Sequence, residues 1–312
     1  MIFLALAAVL LGSPVQDPPQ QPAQIDPDAP VALEDVEVTG RPLDAMIRNF
    51  VNEVAAPNRA RGLARWEDQV CVGVANLRNE QAQYIADRLS TVAEDIGLTP
   101  GRPGCTPNIM IIASDDASGL ARQLVEEKGR AFRAGGSGMD RGGSALRAFQ
   151  ASDAPVRWWQ VSLPTDSETG NIAVRIPGEC RNACVDVEDM APHISVFAAS
   201  RISTQIVDNL FRTFVIIDVD QVSAVSLVQL ADYIAMVSLA QIDPEANTQQ
   251  YSSILNVFDD PEYTQTLTDW DQAYLKGLYD AERNRQNRRA GRMEIADSIQ
   301  RAHRDAQSDQ AD

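Results

Sequence analysis

The side chains that most often carry enzyme chemistry are scarce in this sequence. Two histidines are present, His193 and His303. A hydrolytic zinc site needs three nitrogen or oxygen ligands, an open position and a carboxylate that acts as general base. A peptidase helix with two zinc-binding histidines is therefore excluded. A serine triad would need one of the same histidines, and neither Ser137 nor Ser144 lies in a GxSxG turn. The catalytic residues, if there are any, remain unknown.

Two other motifs could bind a metal or a nucleotide. Asp218 and Asp220 end the apolar run TFVIIDVD and could hold a divalent cation, although such residues more often cap a strand or the next helix. The stretch AGGSGMDRGGSA has neither the GK[ST] ending of a phosphate loop nor the GxGxxG spacing. We interpret the aspartates as caps and the glycines as a surface loop, and we predict no metal site and no cofactor.

The four cysteines favour disulfides. Cys71 lies in the predicted strand QVCVGV and Cys105 just before the next predicted strand, so neighbouring parallel strands would bring them together. Cys180 and Cys184 lie in the turn-like segment PGECRNACV, where a local bridge is feasible. A metal site at this Cx3C pair is the alternative, and it is weaker because no second pair or histidine cluster accompanies it.

The N-terminal region predicts export. Residues 2–12 form an unbroken apolar run with the length of a signal-peptide core, too short to span a bilayer. No Lys or Arg precedes the run, and a buried N-terminal strand or helix is the alternative. We expect residues 1–13 to be a signal peptide, residues 14–30 a Pro/Gln-rich linker, and the mature protein to be periplasmic or secreted, with no membrane span.

Charge narrows the choice of partner. The net charge of −17 argues against nucleic acid and against an anionic membrane surface. Seven of the 27 basic residues lie between Arg283 and Arg304. We interpret this part as a solvated helix face, and a binding patch is the alternative.

Hydrophobic periodicity predicts an α+β fold. A short edge strand is expected within 31–40, an amphipathic helix after Pro42, and then a β-α-β-α run. The run comprises strand 70–75, helix 80–96, strand 109–113 and helix 119–128. A hairpin follows, formed by 156–163 and 171–177, in which Trp158 and Trp159 point to opposite faces, one to the core and the other to solvent. A helix near 200–210 then leads into TFVIIDVD.

These elements predict a βαβ-like N-terminal half with a mixed sheet and a helical C-terminal half. We expect one α+β domain over 31–282, or two lobes, 31–150 and 151–282. Residues 283–312 would form a charged C-terminal helix and tail.

The C-terminal third carries a resemblance. The segments SLVQLADYIAMVSLAQIDP, YSSILNVF and LTDWDQAYLKGLYD resemble an uncharacterised family of exported Gram-negative bacterial proteins. Their order is also distantly similar to the metzincin zinc peptidases, in which a helix carries HExxHxxG, a turn supplies a buried methionine and a last helix closes the site. The resemblance implies that 226–240 is the former active-site helix, 253–255 the turn and 271–279 the closing helix.

The departures from that pattern define the candidate site. In the segment where the family has HExxH, the helix offers Gln229, Leu230, Asp232 and Tyr233, and it has no histidine. Leu230 and Ile234, four residues apart, should be buried together, so the helix would serve as core while Asp232 faces a remnant cleft. We expect a non-catalytic envelope protein that binds a peptide, a protein or an envelope polymer. The alternative is a hydrolase with an unrecognised site, and the oligomeric state stays open.

Overall fold

The computed structural model describes residues 42–58, 61–134, 139–174, 193–195, 200–201, 203–283, 285 and 287–309. It confirms the α+β class. The helices are α1 (Leu43–Val54), α2 (Asn79–Asp95), α3 (Ala117–Glu127), α4 (Gly129–Phe132), α5 (Gly143–Ala151), α6 (Leu227–Leu239), α7 (Asp269–Asp280) and α8 (Arg288–Asp309). The strands are β1 (Gln69–Val70), β2 (Val72–Ala75), β3 (Thr99–Pro100), β4 (Ile109–Ser114), β5 (Val156–Asp166) and β6 (Ile206–Asp218).

The main sheet is mixed, as predicted. Its strand order is β2-β4-β6-β5, with β2, β4 and β6 parallel and β5 antiparallel to β6. The crossover helix α2 connects β2 to β4, which gives the βαβ unit that the sequence indicates. β1 and β3 form a separate parallel pair. Because β5 pairs with β6 alone among the named strands, it is an edge of the main sheet.

Helices cover both faces of this sheet and create two cores. The larger core takes Val215 and Ile217 from β6 and packs them with α1, α2, α6, α7 and α8. The smaller core takes Ile216, the residue between them, and packs it with α3, α4 and α5. The alternation follows from the period of two in a strand. Trp158 and Trp159 also go to opposite faces, yet both are buried, because each face carries helices. The expectation that one of them is exposed is therefore wrong.

Two local predictions are corrected. The sequence predicts a hairpin between 156–163 and 171–177, but β5 pairs with β6 instead. Within 171–174, Ile172 forms an isolated bridge to Thr165. The helix expected near 200–210 does not form, because from Ile206 the chain is already strand β6. The segment IVDNLFRTFVIID is rich in β-branched and aromatic residues, and pairing with both β4 and β5 stabilises it as a strand.

The disulfide between Cys71 and Cys105 is confirmed, with an S–S distance of 1.94 Å. Cys71 lies between β1 and β2, and Cys105 precedes β4, so parallel pairing of β2 with β4 brings the two cysteines together. The predictions for the signal peptide, the linker, the strand within 31–40 and the pair Cys180 and Cys184 lie outside the described residues.

The charged C-terminal helix joins the core. Ala296, Ile299 and Ala302 are buried on one side of α8, which contacts α1 and α7. Gly277 of α7 permits the close approach, since a Cβ atom there would lie 2.4 Å from Ile299 Cα. The predicted charged C-terminal helix therefore forms within 283–312, and it packs against the rest of the domain.

None of the helices in the described part of the chain has the length and apolarity that a membrane span requires.

Candidate functional site

The structure does not gather the three candidate cleft residues into one site. Gln229 is buried in a capping role at the start of α6. Its Nε2 donates to the carbonyl oxygens of Pro261, at 2.6 Å, and Thr264, at 2.7 Å. Its Oε1 accepts from the backbone N–H of Ser226, which completes a capping box. Each polar atom of this side chain therefore serves the fold.

Asp232 is a buried structural acid and does not face a cleft. Its side chain is 0% exposed and forms an ion pair with Arg88 of α2. Its Oδ2 also accepts hydrogen bonds from the Thr266 hydroxyl and from the backbone N–H of Leu267, the latter at 2.8 Å. Asp232 thus ties α6 to α2 and to the loop before α7.

Asp271 is a second buried acid in the same corner of the molecule. It accepts from the Ser253 hydroxyl at 2.6 Å and from the backbone N–H of Ile254 at 2.8 Å. It also accepts from the backbone N–H and the hydroxyl of Thr268. Burial raises the pKa of this carboxyl group. The predicted turn and closing helix therefore meet at a carboxylate whose four donors all come from the protein.

Tyr233 is the one candidate residue that lies in a cleft. It packs against Trp158 with ring centroids 6.1 Å apart, and burial raises the pKa of its hydroxyl. The cleft has a volume of about 500 Å³ and follows the outer edge of β5 from Val156 to Gln160. This volume is typical of sites for small molecules and short peptides.

The backbone of β5 is unpaired where it borders the cleft. In an antiparallel pair, the N–H and C=O groups of successive residues point alternately toward and away from the partner. Asp218 donates to the carbonyl of Pro155, at 2.9 Å, on the β6 side. The register therefore turns the backbone groups of Val156, Trp158 and Gln160 away from β6. None of these three forms a backbone hydrogen bond on that side within the described part of the chain.

The rest of the outer edge of β5 is occupied. The N–H of Ser162 donates to the carbonyl of Met139 at 3.0 Å, and Ala173 donates to the carbonyl of Pro164 at 2.8 Å. The free stretch therefore runs from residue 156 to residue 160, a distance of about 13 Å along the strand.

The two walls of the cleft come from opposite faces of the sheet. Small side chains of α5, Ser144, Ala145 and Ala148, line one wall. Tyr233 of α6 and the segment 241–245 line the other. Because the cleft opens at the sheet edge, both Trp158 and Trp159 reach it. Their indole N–H groups are fixed by the carbonyls of Ile242, at 3.1 Å, and Phe132, at 2.8 Å.

Two side chains that line the cleft each contain a buried polar atom without a partner among the described residues. Arg157 is 2% exposed; one terminal nitrogen donates to Ser118 at 2.8 Å, but its Nε donates to no group. Asn58 is also 2% exposed; its amide nitrogen donates to Ser162, and its Oδ1 accepts no hydrogen bond. Leaving such atoms unpaired costs about 1–3 kcal/mol each. Both residues line the cleft, but the two unpaired atoms themselves have almost no solvent-accessible surface.

The other predicted motifs have structural roles. Asp218 accepts from the backbone N–H of Asp220 at 3.2 Å and from Gln221 Nε2 at 2.9 Å, so it stabilises the turn after β6. Within the described ranges, no group of three or more His, Cys, Asp or Glu side chains is arranged to hold a metal ion. The absence of a zinc site in the protein stays a prediction.

No family model, curated protein or solved structure matches this chain. The roles of its residues therefore rest on their geometry. Sequence reasoning missed the β5 cleft, because a free strand edge depends on which strands pair. The one available signal was the segment RWWQ, which places a charged and an amide side chain beside two tryptophans in an apolar strand.

Proposed function

We propose that this chain is an exported, non-catalytic binding protein that captures an extended peptide segment along the free edge of β5. The observation that carries the proposal is the row of unpaired backbone groups on Val156, Trp158 and Gln160. An extended peptide can add to such an edge as a further strand, and its main chain then supplies the missing hydrogen bonds.

The side chains around the edge suit the same ligand. Arg157 and Asn58 line the cleft beside this edge, and their unpaired Nε and Oδ1 atoms become accessible to the donor and acceptor of a peptide group only when these side chains move on binding. The side chain of Gln160 is fixed by the C-terminal end of α6, because its Nε2 donates to the carbonyls of Val237, at 2.9 Å, and Ala240, at 2.8 Å. A cleft whose side chains are already fixed loses little entropy when a ligand binds.

The small residues of α5 make room for a ligand strand. Ala148 is exposed and lines the cleft, so the wall opposite Tyr233 has no large side chain at that point. Aromatic rings of Trp158 and Tyr233 provide apolar surface for alternate ligand side chains. Backbone pairing would thus provide affinity, and these surfaces would provide selectivity.

The proposed location outside the cytoplasm rests on two observations. The apolar run at 2–12 has the length of a signal-peptide core. The Cys71–Cys105 disulfide is of a kind that persists mainly in oxidising compartments. The partner would accordingly be an envelope peptide or a segment of an envelope protein. A hydrolase, the alternative, stays a prediction with no residues assigned to it.

The proposal is tested with a display library of random heptapeptides. Peptides are selected on the wild-type protein and counter-selected on Ala148→Trp, in which the indole fills the cleft. We expect enriched peptides to bind wild type at least about tenfold more tightly than the variant. The control is Arg147→Trp, which adds the same side chain at an exposed position of α5 that does not line the cleft. This control should bind like wild type.

Backbone pairing is then tested directly. N-methylation of alternate residues of an enriched peptide should abolish binding, because it removes the N–H groups that pair with β5. Hydrogen exchange at Val156, Trp158 and Gln160 should slow when the unmodified peptide binds. Mass spectrometry should recover the peptide intact. Equal binding to wild type and Ala148→Trp, or unchanged binding after N-methylation, would refute strand addition, and cleavage of the peptide would favour the hydrolase.

A further inference from the structure

A second cavity, separate from the β5 cleft, is lined mainly by arginines. Its volume is about 260 Å³, and its lining comes from Pro57 and the segment 61–65, the start of β6, residues 281–283 and the start of α8. Two carboxylates line it, Asp208 and Glu282. Six arginines line it: Arg61, Arg65, Arg283, Arg285, Arg288 and Arg292. This concentration of positive charge occurs in a chain whose net charge is −17.

Three of these arginines hold the structure together. Arg61 forms an ion pair with Asp208, at the start of β6. Arg283 donates to the carbonyl oxygen of Asp208 and to the side chain of Asn209. Arg65 donates to the carbonyl oxygen of Leu278, at the end of α7. Their guanidinium groups form a fixed, positively charged wall.

The other three arginines form fewer or weaker contacts with the described part of the protein. Arg285 has Glu294 at 3.3 Å and Glu282 at 3.5 Å, both surface ion pairs of small energy. Arg288 and Arg292 form no ion pair with any described carboxylate, although they lie one turn apart at the start of α8. Like charges at this spacing destabilise a helix. Their position beside the cavity is therefore unfavourable unless an anion lies there.

Burial strengthens the repulsion within the cavity wall. Burial, and to a smaller extent the neighbouring charge of Arg283, lower the pKa of Arg65 to about 10. Burial likewise lowers the pKa of Arg283. In physiological salt, charges farther apart than about 8 Å are largely screened, so the local arginines outweigh the distant acidic surface.

We infer that this cavity binds a small, multiply charged oxyanion, held by Arg288 and Arg292 against the wall formed by Arg61, Arg65 and Arg283. Arginine forks match the geometry of phosphate and carboxylate oxygens. The volume is slightly below the usual range for drug-sized ligands, which favours a ligand of the size of pyrophosphate or a tricarboxylate. This proposal corresponds to the binding patch that the sequence left as the alternative for 283–304.

The test is a titration of the full-length exported protein in 0.15 M NaCl with two probes, pyrophosphate and citrate. We expect at least one of them to bind, and to raise the melting temperature by about 3 °C at ten times its dissociation constant. Preference for pyrophosphate would assign phosphate chemistry to the site, and preference for citrate would assign carboxylate chemistry.

The decisive variant is Arg288→Gln/Arg292→Gln, in which both uncommitted charges are removed. Its affinity for the preferred probe should fall by about tenfold or more. Without a ligand its melting temperature should stay equal or rise, because two repelling charges are gone; a purely structural role would lower it. The matched control is Arg289→Gln/Arg304→Gln, which removes the same charge from exposed positions of α8 outside the cavity.

The control should bind like wild type. Failure of both probes to bind, or equal loss of affinity in both double variants, would overturn the inference. The second result would show a general effect of net charge.

Discussion

Two sets of buried polar side chains differ in how completely their hydrogen bonds are satisfied: the acids of α6 and α7, and two residues that line the β5 cleft. Around α6 and α7, Asp232 and Asp271 receive donors from three or more protein groups each. At the β5 cleft, equally buried atoms of Arg157 and Asn58 have none. Natural folds rarely leave buried polar atoms unpaired, but in this protein such atoms are not confined to the cleft: Ser238 Oγ, Thr264 Oγ1 and Tyr274 OH, in or beside α6 and α7, have no partner among the described residues either. The network of Gln229, Asp232 and Asp271, here called the saturated region, is by contrast complete without a ligand.

This comparison separates structure from function within the predicted site. The three candidate residues lie within five positions of one another on α6, yet two belong to the saturated region and Tyr233 borders the open one. The two regions should therefore respond differently to substitution. Changes on the saturated side should reduce stability, and changes on the open side should reduce binding.

The largest effect is expected from the apolar side of α6. Leu230 and Ile234 are both buried in the larger core, as predicted, and Ile234 is 0% exposed. Ile234→Ala should lower the free energy of unfolding by about 2–5 kcal/mol through lost burial and a residual cavity. Chemical denaturation measures the change. Val228→Ala is the control, because Val228 is 38% exposed on the same helix and should lose far less. A tolerated Ile234→Ala would mean that α6 is not a core helix.

The second effect tests the saturated acid. Asp232→Asn keeps the shape of the side chain but places an amide N–H₂ among donors from Arg88, Thr266 and Leu267. We expect a loss of about 1–3 kcal/mol, because at least one buried donor is left unpaired. If Asp232 faced a cleft, as the sequence predicts, the substitution would leave the free energy of unfolding almost unchanged. The burial of Asp232 corrects that expectation.

The control for this change is Asp297→Asn, at an exposed position of α8, which should alter stability by less than about 0.5 kcal/mol. Peptide binding at the β5 cleft should be unchanged in both variants. If Asp232→Asn left stability intact and weakened binding, the assignment of Asp232 to the saturated region would be refuted.

The fold was more predictable than the site. The apolar strands around Val74 and Ile111, with the amphipathic α2 between them, carry a local periodic signal, and the disulfide follows from their parallel pairing. Residues 206–210 were mistaken for helix, since strand β6 is stabilised by β4 and β5, which are distant in sequence. Tertiary pairing outweighed local propensity there.

The cleft itself could not be predicted for the same physical reason. Whether Trp158 has a free backbone edge depends on the register of β5 against β6, although residues 167–205 separate the two strands. Likewise, Asp232 carries no sequence mark of burial, because its partner Arg88 lies on another helix. Pairwise contacts across long stretches of chain decide both outcomes.

The smallest effect on stability, and the sharpest test of the comparison, is expected from Arg157→Met. Methionine has a similar volume, and it removes both the buried charge of Arg157 and its unpaired Nε. Replacing a buried charge by an apolar residue of similar volume is often neutral or stabilising, so the free energy of unfolding should change by less than about 1 kcal/mol. Burial lowers the pKa of Arg157, which is in line with a charge held at some cost in the free protein.

Peptide affinity should nevertheless fall by about tenfold or more in Arg157→Met, since the charged donor is lost from the cleft. The matched control is Arg122→Met, at an exposed position of α3, which should leave both stability and affinity unchanged. A large stability loss in Arg157→Met with unaltered peptide binding would make Arg157 a structural residue like Asp232. The unpaired Nε would then no longer mark a ligand site, because the difference between the two regions would lie in their geometry alone. Loss of affinity at constant stability is the opposite result, and it would establish that an unsatisfied buried donor is kept here for binding.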